Sequence, residues 1–305
     1  MDELLAVSSM EHAELAEFID GMSAHVGAPI RLLRWSTAEL AERLRDGNAP
    51  AWDLLLGTAA TALLDPVIVG QLEPLDRIDF SGLQPGAVDA ECRSFSPSGF
   101  VPVFCYDATA LADRRLTAPT SWAALAAPIW RNRIALPDPA RSGAGYLHLS
   151  ALLECCPESA WRTLAAVANL HPSIGRSSTA PIDDVLAGRA WIAATVSTAA
   201  TRAARAYPSL RWLVPLDGRR YEHEVFGCRA GSPRVGLAQR ALSWMLSNDA
   251  AAIARRYGKV VLDHASERNE AMQGLAALNV ADAGRSKLDR TVQWHTLFTQ
   301  QAHYD

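Results

Sequence analysis

The chain has 305 residues, 49% of them apolar and 20% charged, with a formal net charge of −4. That length suggests about two domains with ample material for packed cores. No basic stretch runs along the chain, which argues against nucleic acid as a main partner, and no run reaches the ~18 consecutive apolar residues of a membrane helix.

Short apolar runs alternate with amphipathic segments, the mark of an α/β fold. Leu4-Leu5-Ala6-Val7 reads as a first strand, with no basic region, apolar stretch and cleavage site before it. A helix is expected over 11–25 and a strand over 30–34. The next helix starts at Ser36 or Thr37, with Glu39 placed as a capping-box acid and Leu40 and Leu44 on one face. A third strand over 52–56 ends at Gly57-Thr58, and a helix over 59–69 stops near Gly70. Residues 91–95 and 100–106 read as extended runs split by a turn at Ser96-Pro97-Ser98-Gly99. The run near 101–106 and another over 221–228 suit crossings between two lobes.

Ser121 caps a short helix over 122–125. A strand over 133–136 runs into Pro137-Asp138-Pro139, and helices over 143–156, 160–170 and 181–187 follow, the last ended by Gly188. Strands over 191–196 and 211–214 precede the extended run at 221–228. Helices over 237–246 and 248–257 come next. The five cysteines form no CxxC pair, so a zinc ribbon or thioredoxin motif has no support. Their odd number leaves at least one thiol free in a single chain. Cys155 and Cys156 are adjacent and poorly placed to bridge, and all five read as small buried apolar residues.

The segment IALPDPARSGAGYLHL, residues 134–149, reads as strand, loop and helix. Ser142, Gly143, Ala144 and Gly145 fall at the helix start. Small residues there leave backbone N–H groups unobstructed, and with the helix dipole these donors form an anion site. Ser142 can also cap the helix with its hydroxyl, and capping without any ligand is the competing reading.

The run SWAALAAPIWRNRIALPDPARSGAGY resembles a stretch of the bacterial extracellular solute-binding proteins, the relatives of ferric-iron, thiamine, sugar-phosphate and 2-aminoethylphosphonate binding proteins. The likeness continues in order along the chain. It takes in Tyr106-Asp107 before a short helix, and Ser177-Ser178 with 185–188 before the strand at 191–196. It also takes in the helical runs at 241–247 and 249–253, and residues 39–45, Pro50 and Asp53 near the start. The resemblance implies the type II periplasmic binding fold, two Rossmann-like α/β lobes joined by crossing hinge strands. Lobe one is then 1–103 plus 226–275 and lobe two 104–225 plus 276–305, with the solute captured in the cleft between lobes. It further implies a monomeric periplasmic protein, its export signal absent from this chain, that works with ABC transporter permease subunits and needs no cofactor. An enzyme is not expected, because no nucleophile elbow, HExxH or GxxxxGK[ST] motif is present and the eight histidines are scattered.

Iron binders of this family use two adjacent tyrosines with a His or Glu, since phenolates suit a hard ferric ion. The matching stretch here, STAATRAARAY, has Tyr207 alone, so no metal site is expected. Hydroxyls and glycines instead gather at strand ends: Ser8 and Ser9, Thr58, Ser142 to Gly145, Ser177 and Ser178 with Thr179, and Ser197 and Thr198 closing the strand at 191–196. Capping and turn chemistry account for each one singly. Together they suit a small anionic ligand: a phosphate ester, phosphonate or carboxylate. Arg141 and Arg176 precede two of these segments, and Glu222 and His223 can meet an amine. Most of the nine tryptophans, Trp122, Trp161 and Trp244 among them, read as packing. Ferric-iron or thiamine binding on the same fold, and a cytoplasmic ligand-sensing domain, stand as alternatives. An export signal in the precursor separates the last of these from transport.

Overall fold

The computed structural model describes residues 3–10, 12–62, 65–263 and 274–299. The chain opens with β1 Leu4–Ser8, α1 His12–Val26, β2 Ile30–Arg34, α2 Thr37–Arg45, β3 Leu54–Ala59, α3 Pro66–Val69 and β4 Ser94–Phe100. It continues with β5 Pro102–Asp107, α4 Ala108–Asp113, α5 Trp122–Leu125, β6 Ile134–Pro137, α6 Gly143–Cys155, α7 Ala160–Ala168, β7 Ser173–Gly175, α8 Ala180–Leu186, β8 Ile192–Val196, α9 Ser197–Ala206 and β9 Leu210–Leu213. The last part holds β10 Arg220–Cys228, α10 Val235–Ser243, α11 Asn248–Arg256, β11 Val260–Val261, β12 Ala276–Ala277, α12 Val280–Arg285 and α13 Lys287–Thr299.

These elements fall into two compact units. One draws on Met1–Gly99 and Glu222–Gln273, the other on Phe100–Tyr221 and Gly274–Asp305. In the first, six strands lie in the order β11-β4-β10-β3-β1-β2. β1 pairs in parallel with both β2 and β3, and β10 runs antiparallel to β3. β1 is buried along its whole length, which is why it reads as a continuous apolar run rather than an alternating one. Leu15, Phe18 and Met22 of α1 are buried in the same unit.

The second unit is built on a five-stranded sheet, β7-β6-β8-β5-β9. β6 is parallel to β7 and β8, and β5 is antiparallel to β8 and β9. β12 pairs in parallel with Arg220 and Tyr221 at the start of β10. Helix α6 is buried from Ala144 to Leu152, nearly all round, as its weak polar face foretells.

Four local expectations are corrected. Ser96-Pro97-Ser98-Gly99 is no turn, because β4 passes straight through it, between β11 and β10 in the sheet. The Pro97 carbonyl accepts a bond from the Leu262 N–H, so this proline still serves the sheet. The helix expected over 59–69 is broken. Ala59 ends β3, a short 3-10 turn covers Ala60–Ala62, and Pro66 opens a new helix capped by Asp65. Strand β3 begins at Leu54 and runs through Gly57, which has φ +57° and lies so close to Met10 that a side chain would strike its thioether. All five thiols are free, and burial pushes Cys105 and Cys228 up to about 12. Cys92 is exposed, against the expectation that all five are buried, and Cys155 and Cys156 are half-buried.

Candidate functional site

Parallel strands place their carboxyl ends on one edge, where open α/β sheets bind ligands. In the first unit that edge carries Ser8, Arg34 and Ala59, and the register brings Glu224 of β10 opposite Ala59. Ser8 is fully buried. Its hydroxyl donates to the Leu56 carbonyl at 2.7 Å and accepts from the Met10 N–H at 3.0 Å. Half-buried Ser9 reaches the Thr58 hydroxyl at 3.4 Å, so these two predicted residues meet. Glu222 is 1% exposed and accepts from the Thr61 N–H at 2.9 Å and from the Thr61 hydroxyl, so its carboxylate holds the turn after β3.

Beside this edge a buried ion cluster fills the interior. The Lys259 ammonium sits between the carboxylates of Glu14 and Glu224, and the Ser98 hydroxyl donates to Glu224 at 2.9 Å. Burial pushes the Lys259 pKa down, but the two carboxylates outweigh it and hold the pKa above the usual lysine range. Asp53 is equally committed, accepting from the Leu5 N–H at 2.9 Å and the Ser232 hydroxyl at 2.6 Å. A cavity of about 180 Å³ in this unit is lined by Leu83, Pro97, Met245, Ala251 and Val261 among others, and by none of the predicted site residues.

In the second unit β6, β7 and β8 end at Pro137, Gly175 and Val196 on one edge. Pro102, opposite Val196, puts the start of β5 there too. Three segments leave this edge: residues 138–142 into α6, 176–179 into α8, and Val196 directly into α9. Ser142, Gly143, Ala144 and Gly145 thus share the edge with Ser177, Ser178, Ser197 and Thr198. Ser197 and Thr198 do not end the strand as expected. They form the first turn of α9, because the alanine-rich STAATRAARA favours helix.

The helix starts differ in how they are capped. Side chains cap α2, α3, α4, α5, α11 and α12 through Ser36, Asp65, Asp107, Ser121, Ser247 and Asn279. Helix α6 starts at Ser142 without a side-chain cap bond, which corrects the expected capping role of that hydroxyl. Helix α9 follows Val196, which has no polar atom to cap with. Helices α7, α8 and α10 also lack a bond from the N-cap side chain, so a missing cap is not peculiar to this edge. The first-turn amides of α6 therefore keep donors with no intrahelical acceptor.

The two glycines at the α6 start do different work. A Cβ on Gly143 would meet nothing within 4 Å, so the space before the helix is open. A Cβ on Gly145 would lie 2.4 Å from the Pro137 carbonyl oxygen. Gly145 is thus small because α6 packs against its own entry loop, not to admit a ligand. Asp138 shapes that loop, accepting from the Ala140 N–H at 2.8 Å with His295 Nε2 at 3.0 Å, while the Ser142 N–H donates to its carbonyl at 2.8 Å. At the neighbouring segment the Ser177 hydroxyl accepts from the Ala180 N–H at 3.2 Å, and the Ser178 carbonyl accepts from the Thr195 hydroxyl at 2.6 Å. Thr195, Asp138 and His148 were not singled out from the sequence. For Thr195 the signal was a lone hydroxyl in the apolar run Ile192–Val196.

Tyr207 ends α9 and is 50% exposed. Among the described residues no group of three His, Cys, Asp or Glu is placed to hold a metal, and no helix is long and apolar enough to cross a membrane.

Three solved structures share this architecture. Iron-bound HitA from Pseudomonas aeruginosa is 16% identical, with 96% of this chain and 99% of that one covered and a TM-score of 0.78. The periplasmic binding protein AfuA from Actinobacillus pleuropneumoniae, with exogenous fructose-6-phosphate bound, is 16% identical over 98% and 99% with a TM-score of 0.78. The substrate binding protein of an ABC transporter from Agrobacterium tumefaciens is 16% identical over 97% and 94% with a TM-score of 0.80. No curated protein matches the chain in sequence. Residues 94–281, more than half of the chain, match the family described as bacterial extracellular solute-binding protein. The chain therefore belongs to the bacterial extracellular solute-binding proteins and has the fold of a type II periplasmic binding protein.

Proposed function

We propose that this chain captures a small anionic solute, a phosphate ester, phosphonate or carboxylate, and presents it to an ABC importer in the periplasm. The observation that carries the reading is the uncapped start of α6. There the amides of Gly143, Ala144 and Gly145 and the Ser142 hydroxyl lie beside the open space at Gly143. An anion supplies the acceptor these donors lack, and the helix dipole favours its charge. Thr198 in the first turn of α9, with Ser177 and Ser178, adds donors at the same edge. Ser9 and Thr58 offer hydroxyls at the edge of the first unit. Arg141 and Arg176 flank the α6 and α8 entries and favour the same sign of ligand.

Among the relatives, the AfuA structure holds a sugar phosphate and the HitA structure holds iron. The lone Tyr207 gives a ferric ion one phenolate where this family's iron sites use two, so the phosphate-type ligand fits better. Calorimetry and thermal shift over fructose 6-phosphate, inorganic phosphate, a phosphonate, thiamine and ferric citrate test the reading. An anion at 100 times its Kd raises stability by about 2.7 kcal/mol. Gly143→Val fills the space before α6 and abolishes that binding while the variant melts like the parent. Ferric citrate as the sole binder, or an anion held equally by Gly143→Val, overturns the reading.

A further inference from the structure

The donors at the second unit's edge sit on segments separated by dozens of residues, so something must hold them in register. Thr195 is fully buried in β8, where a valine would have fitted the apolar run. A buried hydroxyl is costly unless bonded. This one donates to the Ser178 carbonyl at 2.6 Å. The Thr195 carbonyl in turn stands 2.8 Å from His148 Nε2 on α6. His148 is 3% exposed, with its ring flat against Phe104 at 6.0 Å between centroids and edge-on to Trp122 at 5.6 Å. A carbonyl can only accept, so Nε2 carries the hydrogen. Burial pushes the His148 pKa down to about 4, against the smaller opposing pull of the Thr195 and Val103 backbone. The ring is therefore a neutral, fixed donor at pH 7.

The bond to Ser178 sets the direction of a peptide. In a trans peptide the carbonyl of one residue and the N–H of the next point opposite ways, and there is no cis bond among the described residues. With the Ser178 carbonyl turned onto Thr195, the Thr179 N–H is turned away from β8. We propose that His148 and Thr195 are positioning residues for the anion site, a two-bond strut from α6 through β8 that holds the 178–179 peptide with its N–H presented to the solute. The inference rests on the anion reading above. Fixing the donor before binding spares the complex the entropy of ordering it.

The test titrates inorganic phosphate into the parent and into Thr195→Val, which keeps the shape and removes the hydroxyl, and Thr195→Ser, which restores it. Thr195→Val weakens phosphate binding about tenfold, the scale of one hydrogen bond, and Thr195→Ser recovers the parent affinity to within about threefold. In amide NMR spectra the Thr179 signal moves with phosphate in the parent and stays still in Thr195→Val. His148→Leu, which leaves the Thr195 hydroxyl in place, lowers affinity, and His148→Gln, whose amide donates from a similar position, recovers it. This second pair decides the matter if Thr195→Val does not fold. Parent-like phosphate binding by Thr195→Val, or equal losses in the valine and serine variants, overturns the strut alone. A parent that binds neither phosphate nor fructose 6-phosphate nor a phosphonate nor a carboxylate overturns the anion reading first, and the strut with it; if only one of the other anions binds, the same variants are read with that anion.

Discussion

The two units solve the same problem, buried polar groups beside a sheet edge, in opposite ways. The sequence of the first unit holds 22 acidic and 13 basic residues, and that of the second 11 and 16. The first buries full charges, Lys259 between Glu14 and Glu224 and, separately, Asp53 just before β3, and its fold consumes their bonding capacity. The second buries mainly neutral groups, His148, Thr195, Ser142 and Ser197, with Asp138 the one carboxylate among its described buried side chains. Its helix starts at Ser142 and Val196 are left without side-chain caps, as is that of α10 in the first unit. A buried charge must be matched inside the protein, whereas a neutral donor at an edge can wait for a ligand. The second unit carries an excess of five basic residues and the first an excess of nine acidic ones, a division that supports the anion proposed for the second unit.

The sharpest way to break the comparison is Lys259→Met. It strands two carboxylates in the interior of the first unit, with an expected loss of about 3–5 kcal/mol in urea denaturation. A loss under about 1 kcal/mol would mean the cluster is not the ionic keystone described.

The second test is pH. His148 titrates at about 4 in the folded chain, below the ordinary histidine value. Between these values the unfolded chain binds a proton that the folded chain refuses, so stability rises with pH. The contribution of the neutral ring is complete above about pH 6.5 and is lost as pH falls toward 4, about 3 kcal/mol in all. Urea midpoints at pH 7.5 and 4.5 should therefore differ less in His148→Gln than in the parent. Parallel pH profiles would remove the claim that the second unit keeps this group neutral.

The smallest effect sharpens the contrast. On the anion reading proposed above, Ser142→Ala should weaken binding of the anion by roughly 1–3 kcal/mol in calorimetry, because the Ser142 hydroxyl makes no cap bond to the helix. If it instead lowers stability by about 1 kcal/mol, as loss of a cap does, that hydroxyl belongs with the saturated groups of the first unit.

Local sequence alone determined most of the elements and the place of the candidate site. The Ser36–Glu39 cap, the strand at Leu4–Ser8 and the strand-loop-helix at 134–149 are legible because their causes lie within a few residues: a hydroxyl facing a nearby N–H, an apolar run, small residues at a helix start. Tertiary structure decided where those causes were outvoted. Ser96-Pro97-Ser98-Gly99 has the composition of a turn, yet it is a strand because β10 and β11 flank it in the sheet. Gly145 looks like an opening for a ligand, and the Pro137 carbonyl makes it a packing contact. Thr195 and Ser178 are 17 residues apart, and His148 and Thr195 are 47 apart. No local period can reveal such bonds, because the sheet register that brings β6 beside β8 is set by burial of apolar faces across the whole unit.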